Sequence, residues 1–144
     1  DEICRQNKIE KIKTIGDSYM CVAGILDEKK DHANRLCKAA KEMLAYLNKT
    51  NIQRSKLKMP IWEARFGIHT GPVICGVVGE DKFTFDIWGD TVNTASLMEQ
   101  NSEPGKINIS ETTHFRIHKY VDAVERGDIL TTKKGSLKMY FLEF

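Results

Sequence analysis

The segment Phe83-Thr84-Phe85-Asp86-Ile87-Trp88-Gly89-Asp90-Thr91-Val92-Asn93-Thr94-Ala95-Ser96 leaves the chain little freedom: a β-like run ends at an acid, breaks at Gly-Asp and turns straight into a helical pattern. Thr91 is the expected cap of that helix, which puts Asn93 in its exposed first turn. A strand-to-helix junction of this kind needs a sheet for the strand to join and a layer of helices to cover it. Polar groups from Asp86 to Asn93 then converge on one concave spot.

The rest of the chain supplies both layers. Residues 8–15 and 18–26 are rich in Ile, Tyr, Met and Val, and Gly16-Asp17 between them predicts a β-hairpin with Asp17 at its tip. Behind Asp31 as a cap, Ala33, Leu36, Cys37, Ala40, Leu44 and Leu47 recur at helical spacing, which predicts an amphipathic helix over 32–48. Residues 49–60, polar, basic and containing Pro60, read as a connecting loop. Ile61–His69 and Val73–Val78 read as a second pair of strands around Thr70-Gly71-Pro72, followed by a turn at Gly79-Glu80-Asp81-Lys82. A helix over 91–100, a strand at 106–109, a short helix near 111–118 and strands near 121–131 and 137–144 complete the order ββ-α-ββ-α-β-α-ββ. The expected class is α+β, helices packed on an antiparallel-rich sheet, in a single domain spanning residues 1–144.

At 144 residues the chain can bury roughly 70% of its unfolded surface, so its core needs no disulfide or metal staple. A net charge of +2 argues for neither a nucleic-acid nor a membrane footprint. Cys4, Cys21, Cys37 and Cys75 show no close pairing, and Cys21 and Cys75 sit in apolar runs, so all read as reduced core thiols of a cytoplasmic protein. The sequons at Asn48 and Asn108 are then chance matches. His69, His114 and His118 fit no metal or nucleophile-base spacing and read as structural or surface residues.

Four stretches together resemble the class III nucleotide cyclases, the adenylyl and guanylyl cyclases. They are the junction above, Lys11-Ile12-Lys13-Thr14-Ile15-Gly16-Asp17-Ser18-Tyr19-Met20, Phe66-Gly67-Ile68-His69-Thr70-Gly71-Pro72-Val73 and Glu103-Pro104-Gly105-Lys106-Ile107-Asn108-Ile109-Ser110. The resemblance implies a ferredoxin-like catalytic domain whose first strand and helices are not in this chain. It also implies that Asp17 is one of two aspartates binding Mg²⁺ or Mn²⁺, the other lying in a Phe-x-Asp-Ile-x-Gly-Phe-like segment absent here.

Lys13 and Asp86 match the base-reading residues of the adenylyl type, where guanylyl cyclases use Glu and a small residue such as Cys. A lysine donor and an aspartate acceptor complement adenine N1 and N6, so ATP is the implied substrate. Asn93 matches the asparagine that orients the ribose, and one turn later Leu97 stands where the family has an arginine. Lys134, with Lys133 as its substitute, matches a lysine that contacts the terminal phosphates. Sites in the family form between two such domains, which implies a homodimer, or a heterodimer whose partner supplies the arginine missing at Leu97. Two alternatives to an adenylyl cyclase remain at this point: a nucleotide-binding regulatory domain, favoured by Leu97, and a guanylyl cyclase, disfavoured by Lys13.

Overall fold

In the computed structural model, which describes residues 1–27 and 29–144, the longest element is the helix α2, His32–Lys56. Its buried stripe of Ala33, Cys37, Ala40 and Leu44 follows the predicted periodicity and packs on Ile68, Ile107, Ile109, Ile117 and Leu142. The helix runs eight residues past the predicted end at 48, so the predicted loop over 49–60 is mostly helix. No glycine or proline interrupts residues 49–56, and Lys49, Gln53, Arg54 and Lys56 are good helix formers. The stop comes from backbone geometry. Lys58 takes φ 56°, Met59 N–H donates to Arg54 O at 2.9 Å and Lys58 N–H to Ser55 O at 3.1 Å, a Schellman ending with lysine where glycine is usual.

A short helix α1, Glu2–Gln6, precedes the first hairpin and was not foreseen. Strands β1, Glu10–Ile15, and β2, Ser18–Val22, pair antiparallel around Gly16-Asp17, with Gly16 at φ 59°. Thus β2 stops four residues short of the predicted 26. Strands β3, Phe66–Ile68, β6, Ile107–Ser110, β7, Ala123–Thr131, and β8, Gly135–Leu142, form one sheet in the order β3-β6-β8-β7. Strands β4, Ile74–Val78, and β5, Thr84–Trp88, form a separate antiparallel hairpin across the predicted turn at 79–82. The remaining helices are α3, Asp90–Gln100, and α4, Glu111–Ile117.

Two expectations about pairing fail here. The strand expected over 61–69 is only Phe66–Ile68, and its partner is not β4 but β6, in parallel register from Phe66–Ile107 to Ile68–Ile109. Helix α3 explains the arrangement. It crosses β3 so closely that a Cβ on Gly67 would lie 2.0 Å from the Glu99 backbone nitrogen. Gly67 therefore lets the sheet and α3 share one core, in which Met98, Ile107, Ile109 and Asn108 are fully buried. Burial of Asn108 also fits its sequon being a chance match.

Cys4 and Cys37 are buried and Cys21 is half-buried, but Cys75 is exposed because it lies on the open β4 hairpin. No disulfide links the four. Among the described residues no helix is long and apolar enough to cross a membrane.

Candidate functional site

The register of β1 slips at Ile12: Lys11 stands opposite Cys21, while Lys13, two residues on, stands opposite Met20. A bulge of this kind twists a strand and re-aims the side chains beyond it. Lys13 Nζ thereby reaches across to β5 and donates to Asp86 Oδ2 at 2.8 Å. Asp86 Oδ1 in turn accepts the Ile87 N–H at 2.8 Å, which fixes the carboxylate's orientation. The aspartate is 13% exposed and the lysine 40%, so the pair lies at the edge of the surface with one face open. The Lys13 hydrogen bond, followed by the Ile87 N–H, holds the Asp86 carboxyl below its ordinary pKa. It is an acceptor at neutral pH, facing a donor.

A cleft of about 470 Å³ opens on the Lys13 side of this pair. Lys13, Ile15 and Met20 from the first hairpin line one side, and Ile87, Trp88, Gly89, Asp90, Val92 and Asn93 line the other. Such a mixture of apolar walls and a few convergent polar groups suits a flat, polar-edged ligand. Gly89, at φ 126°, is the N-cap of α3, and Asn93 is exposed in the first turn as predicted. Thr91, predicted to be the cap, instead donates its hydroxyl to Pro72 O at 2.6 Å and ties α3 to the 70–72 turn. Gly89, at positive φ, ends β5 after Trp88 and takes the cap position two residues before Thr91, so the helix starts at Asp90.

Lys134 crosses from the β7–β8 turn to α3, where its ammonium contacts the Asp90 carboxylate and the Thr94 hydroxyl. Lys133 beside it is exposed. Asp90 lines the cleft and holds Lys134, although the sequence marks it only as part of the break after the strand. Its signal was an acid in the first turn of a helix, where negative charge is stabilised. Trp88, Ile15 and Met20 also line the cleft without any motif to announce them.

Asp17 stands apart. It is exposed at the β1–β2 tip and does not line the cleft. Among the described residues no three His, Cys, Asp or Glu side chains gather as a metal cage. One carboxylate alone offers a hard cation too few oxygens, so these residues do not by themselves make a Mg²⁺ or Mn²⁺ site. Leu97 is half-buried on α3, one turn beyond Asn93, and its carbonyl accepts the Asn101 side-chain amide at 2.9 Å. Two histidines make contacts within the fold: His69 Nδ1 lies 2.7 Å from Ser110 Oγ, and His114 stacks on Tyr140 at 3.9 Å.

Residues 1–144, the whole chain, match the adenylate and guanylate cyclase catalytic domain family. The chain belongs to that family. This cyclase domain is 38% identical over 145 residues to an adenylate cyclase of Mycobacterium bovis, covering 99% of the chain and 31% of that protein. It is equally 38% identical over 143 residues to the guanylate cyclase soluble subunit beta-2 of Rattus norvegicus, covering 99% of the chain and 20% of that protein. The chain therefore spans a third or less of these relatives' own length. Among solved structures it resembles the guanylate cyclase domain of RhGC from Catenaria anguillulae in complex with GTP, with a TM-score of 0.89 at 30% identity. That likeness covers 99% of this chain and 76% of the other. The expected cyclase-type α+β fold is thus the observed one.

Proposed function

We propose that this cyclase domain acts on ATP, forming 3′,5′-cyclic AMP and pyrophosphate. The ribose 3′-oxygen attacks the α-phosphorus, its proton leaves, and the bond to the β-phosphate oxygen breaks. No side-chain nucleophile takes part, so the protein's contribution is positioning and electrostatics. Relatives of both substrate types are equally similar, which makes the base-reading residues the deciding feature. The observation that carries the reading is the Lys13–Asp86 hydrogen bond, whose lysine lines the cleft and whose aspartate stands next to the lining residue Ile87.

An adenine edge entering the cleft exchanges the Lys13–Asp86 bond for two others, with N1 accepting from the lysine and N6 donating to the aspartate. Both side chains keep a partner throughout, so the exchange avoids an unpaired buried group. Guanine offers N1–H and O6 in the reverse order and mispairs with both. Asn93, exposed and lining the cleft, is the candidate for orienting the ribose. Lys134 is the candidate for the terminal phosphates, which would compete with Asp90 for its ammonium.

Asp17, exposed at the hairpin tip and outside the cleft lining, fits a role in an opposing site, as one of several Mg²⁺ or Mn²⁺ ligands that another segment or chain completes. A homodimer with two equivalent sites is the economical assembly. A second reading rests on Leu97: a domain that binds nucleotide and regulates a partner, or a heterodimer in which the partner supplies the cation.

The test is cyclisation of ATP against GTP by the wild type and by Lys13→Glu combined with Asp86→Cys. The wild type should prefer ATP by at least about tenfold and the double variant should lose that preference. Equal turnover of both nucleotides by the wild type would refute the assignment. These assays need a protein that also carries the first strand with the second metal aspartate; ATP binding with no cyclic product there would select the regulatory reading.

A further inference from the structure

The end of α2 opposite the core carries a feature that cyclisation does not use. From Leu44 to Trp62 the chain contains Lys49, Arg54, Lys56 and Lys58 and no acid, although acidic and basic residues nearly balance overall. Lys49, Ile52 and Lys56 fall at i, i+3 and i+7 and form one exposed helical stripe. Beyond the helix, Leu57, Met59, Ile61 and Trp62 are all exposed, Leu57 and Trp62 at 71% and 63%.

Loose packing does not account for this exposure. Asn51 grips the Trp62 main chain twice, donating to its carbonyl at 2.6 Å and accepting its N–H at 2.9 Å. Arg54 Nε donates to Pro60 O at 2.6 Å, and its guanidinium lies 5.5 Å from the Trp62 ring. The Schellman ending at Lys58 adds two more bonds. A loop held this firmly with its apolar side chains outward is built to present them, and an apolar patch rimmed mainly by basic charge, with the exposed Glu63 as the acid next to Trp62, marks a contact surface.

We infer that the C-terminal end of α2 and the loop 57–62 form a docking surface for an anionic lipid bilayer. Charge complementarity selects the occupant. The basic rim attracts anionic headgroups, lysine stems bury their methylenes while their ammonium groups stay wet, and Trp62 has the amphipathic ring that settles at the headgroup boundary. An acidic protein surface would satisfy the lysines but would bury Leu57, Met59, Ile61 and Trp62 against charge. Neither cleft described by the fold is lined by these residues, and a bilayer requires no groove.

The experiment is co-sedimentation of the full 144-residue chain with vesicles of phosphatidylcholine alone or with about 30 mol% phosphatidylserine, at ionic strengths from about 0.05 to 0.5 M. Binding should be at least tenfold stronger with phosphatidylserine and should weaken as salt rises. Lys49→Gln/Lys56→Gln/Lys58→Gln should lower it at least tenfold, since each basic residue near such a surface is worth about fivefold. Leu57→Ser/Trp62→Ser should also lower it severalfold. Asn51 holds only the Trp62 main chain, so the fold should survive, as circular dichroism would verify. Absence of binding to the phosphatidylserine vesicles, or equal binding to both kinds, overturns the proposal whatever the variants do. Vesicle binding that survives the serine pair also overturns it, because the exposed apolar loop would then take no part in the contact.

Discussion

Strands β6 and β4 are of similar length and both are rich in Ile or Val, yet β6 buries all four of its residues and β4 exposes Ile74, Cys75, Val77 and Val78. The first lies inside a four-stranded sheet between α2, α3 and α4, and the second is half of an isolated hairpin. The difference teaches that apolar content alone does not locate a core. Fully buried strands and strands awaiting a partner read alike in sequence. It also separates the duties of the molecule. The β6 region holds the fold together, while the two hairpins hold the cleft and leave apolar surface of the kind the proposed dimer would cover.

Two glycines give the sharpest way to break that comparison. Gly67→Ala should cost at least about 3 kcal/mol, because the new Cβ would meet the Glu99 backbone at 2.0 Å and force α3 off β3. Gly76→Ala places its Cβ 3.6 Å from the Trp88 ring, an ordinary contact, and should change stability by less than about 1 kcal/mol. Urea unfolding of the two variants measures both. Similar losses in each would mean that the hairpin is as tightly integrated as the sheet.

Helix α3 belongs to both regions, with Thr94 and Met98 buried in the core and Asn93 at the cleft. Leu97 lies between these faces. Leu97→Arg should raise kcat by about tenfold, or about 1.4 kcal/mol of transition-state stabilisation, with little change in ATP affinity, because the added cation acts mainly on charge that develops during reaction. A folded, dimeric variant without any rate gain would argue that another cation already serves, or that the domain is regulatory.

The legible part of this molecule was its local pattern. The α2 stripe, the Gly16-Asp17 turn, the β4–β5 hairpin and the position of Asn93 all follow from spacing that neighbouring residues determine. What the sequence hid was non-local. Nothing near Phe66–Ile68 says that its partner is some forty residues away and parallel, and nothing near Asp90 announces Lys134. Resemblance brought Lys13 and Asp86 to attention, but only the bulge at Ile12 explains how the two meet. Net charge likewise says nothing of distribution, since it averages over the chain a basic stretch at residues 44–62.

Acid should probe the seam between the regions. His69 joins β3's end to Ser110 at the start of α4, and burial first, then the Lys134 ammonium, lowers its pKa, with Asp90 opposing. The folded state therefore favours neutral imidazole, and the unfolded chain binds the extra proton first. Stability from this group is fully present above about pH 6.5 and is lost as the pH falls through the folded value. Thermal unfolding from pH 7.5 to 5.5 should show Tm falling, and His69→Gln should flatten that fall. An unchanged slope would assign it to His32 and His114, whose pKa values burial also lowers.

The smallest effect tests whether the well-packed region is itself free of strain. Lys58 ends α2 in the left-handed conformation, at φ 56°, where a side chain typically costs about 1–2 kcal/mol. Lys58→Gly removes that cost but adds the greater entropy of glycine in the unfolded chain, about 0.5–1 kcal/mol. The difference leaves a net stabilisation of about 0.5–1 kcal/mol. Lys58 is exposed and has no side-chain hydrogen bond among those described, so little is lost with the side chain. Urea midpoints of the two proteins, at equal slope, would measure the change. A destabilised glycine variant would mean that the lysine's methylenes pack against the loop it terminates, which would make the 57–62 segment part of the core's support and remove the contrast between strained ending and relaxed interior.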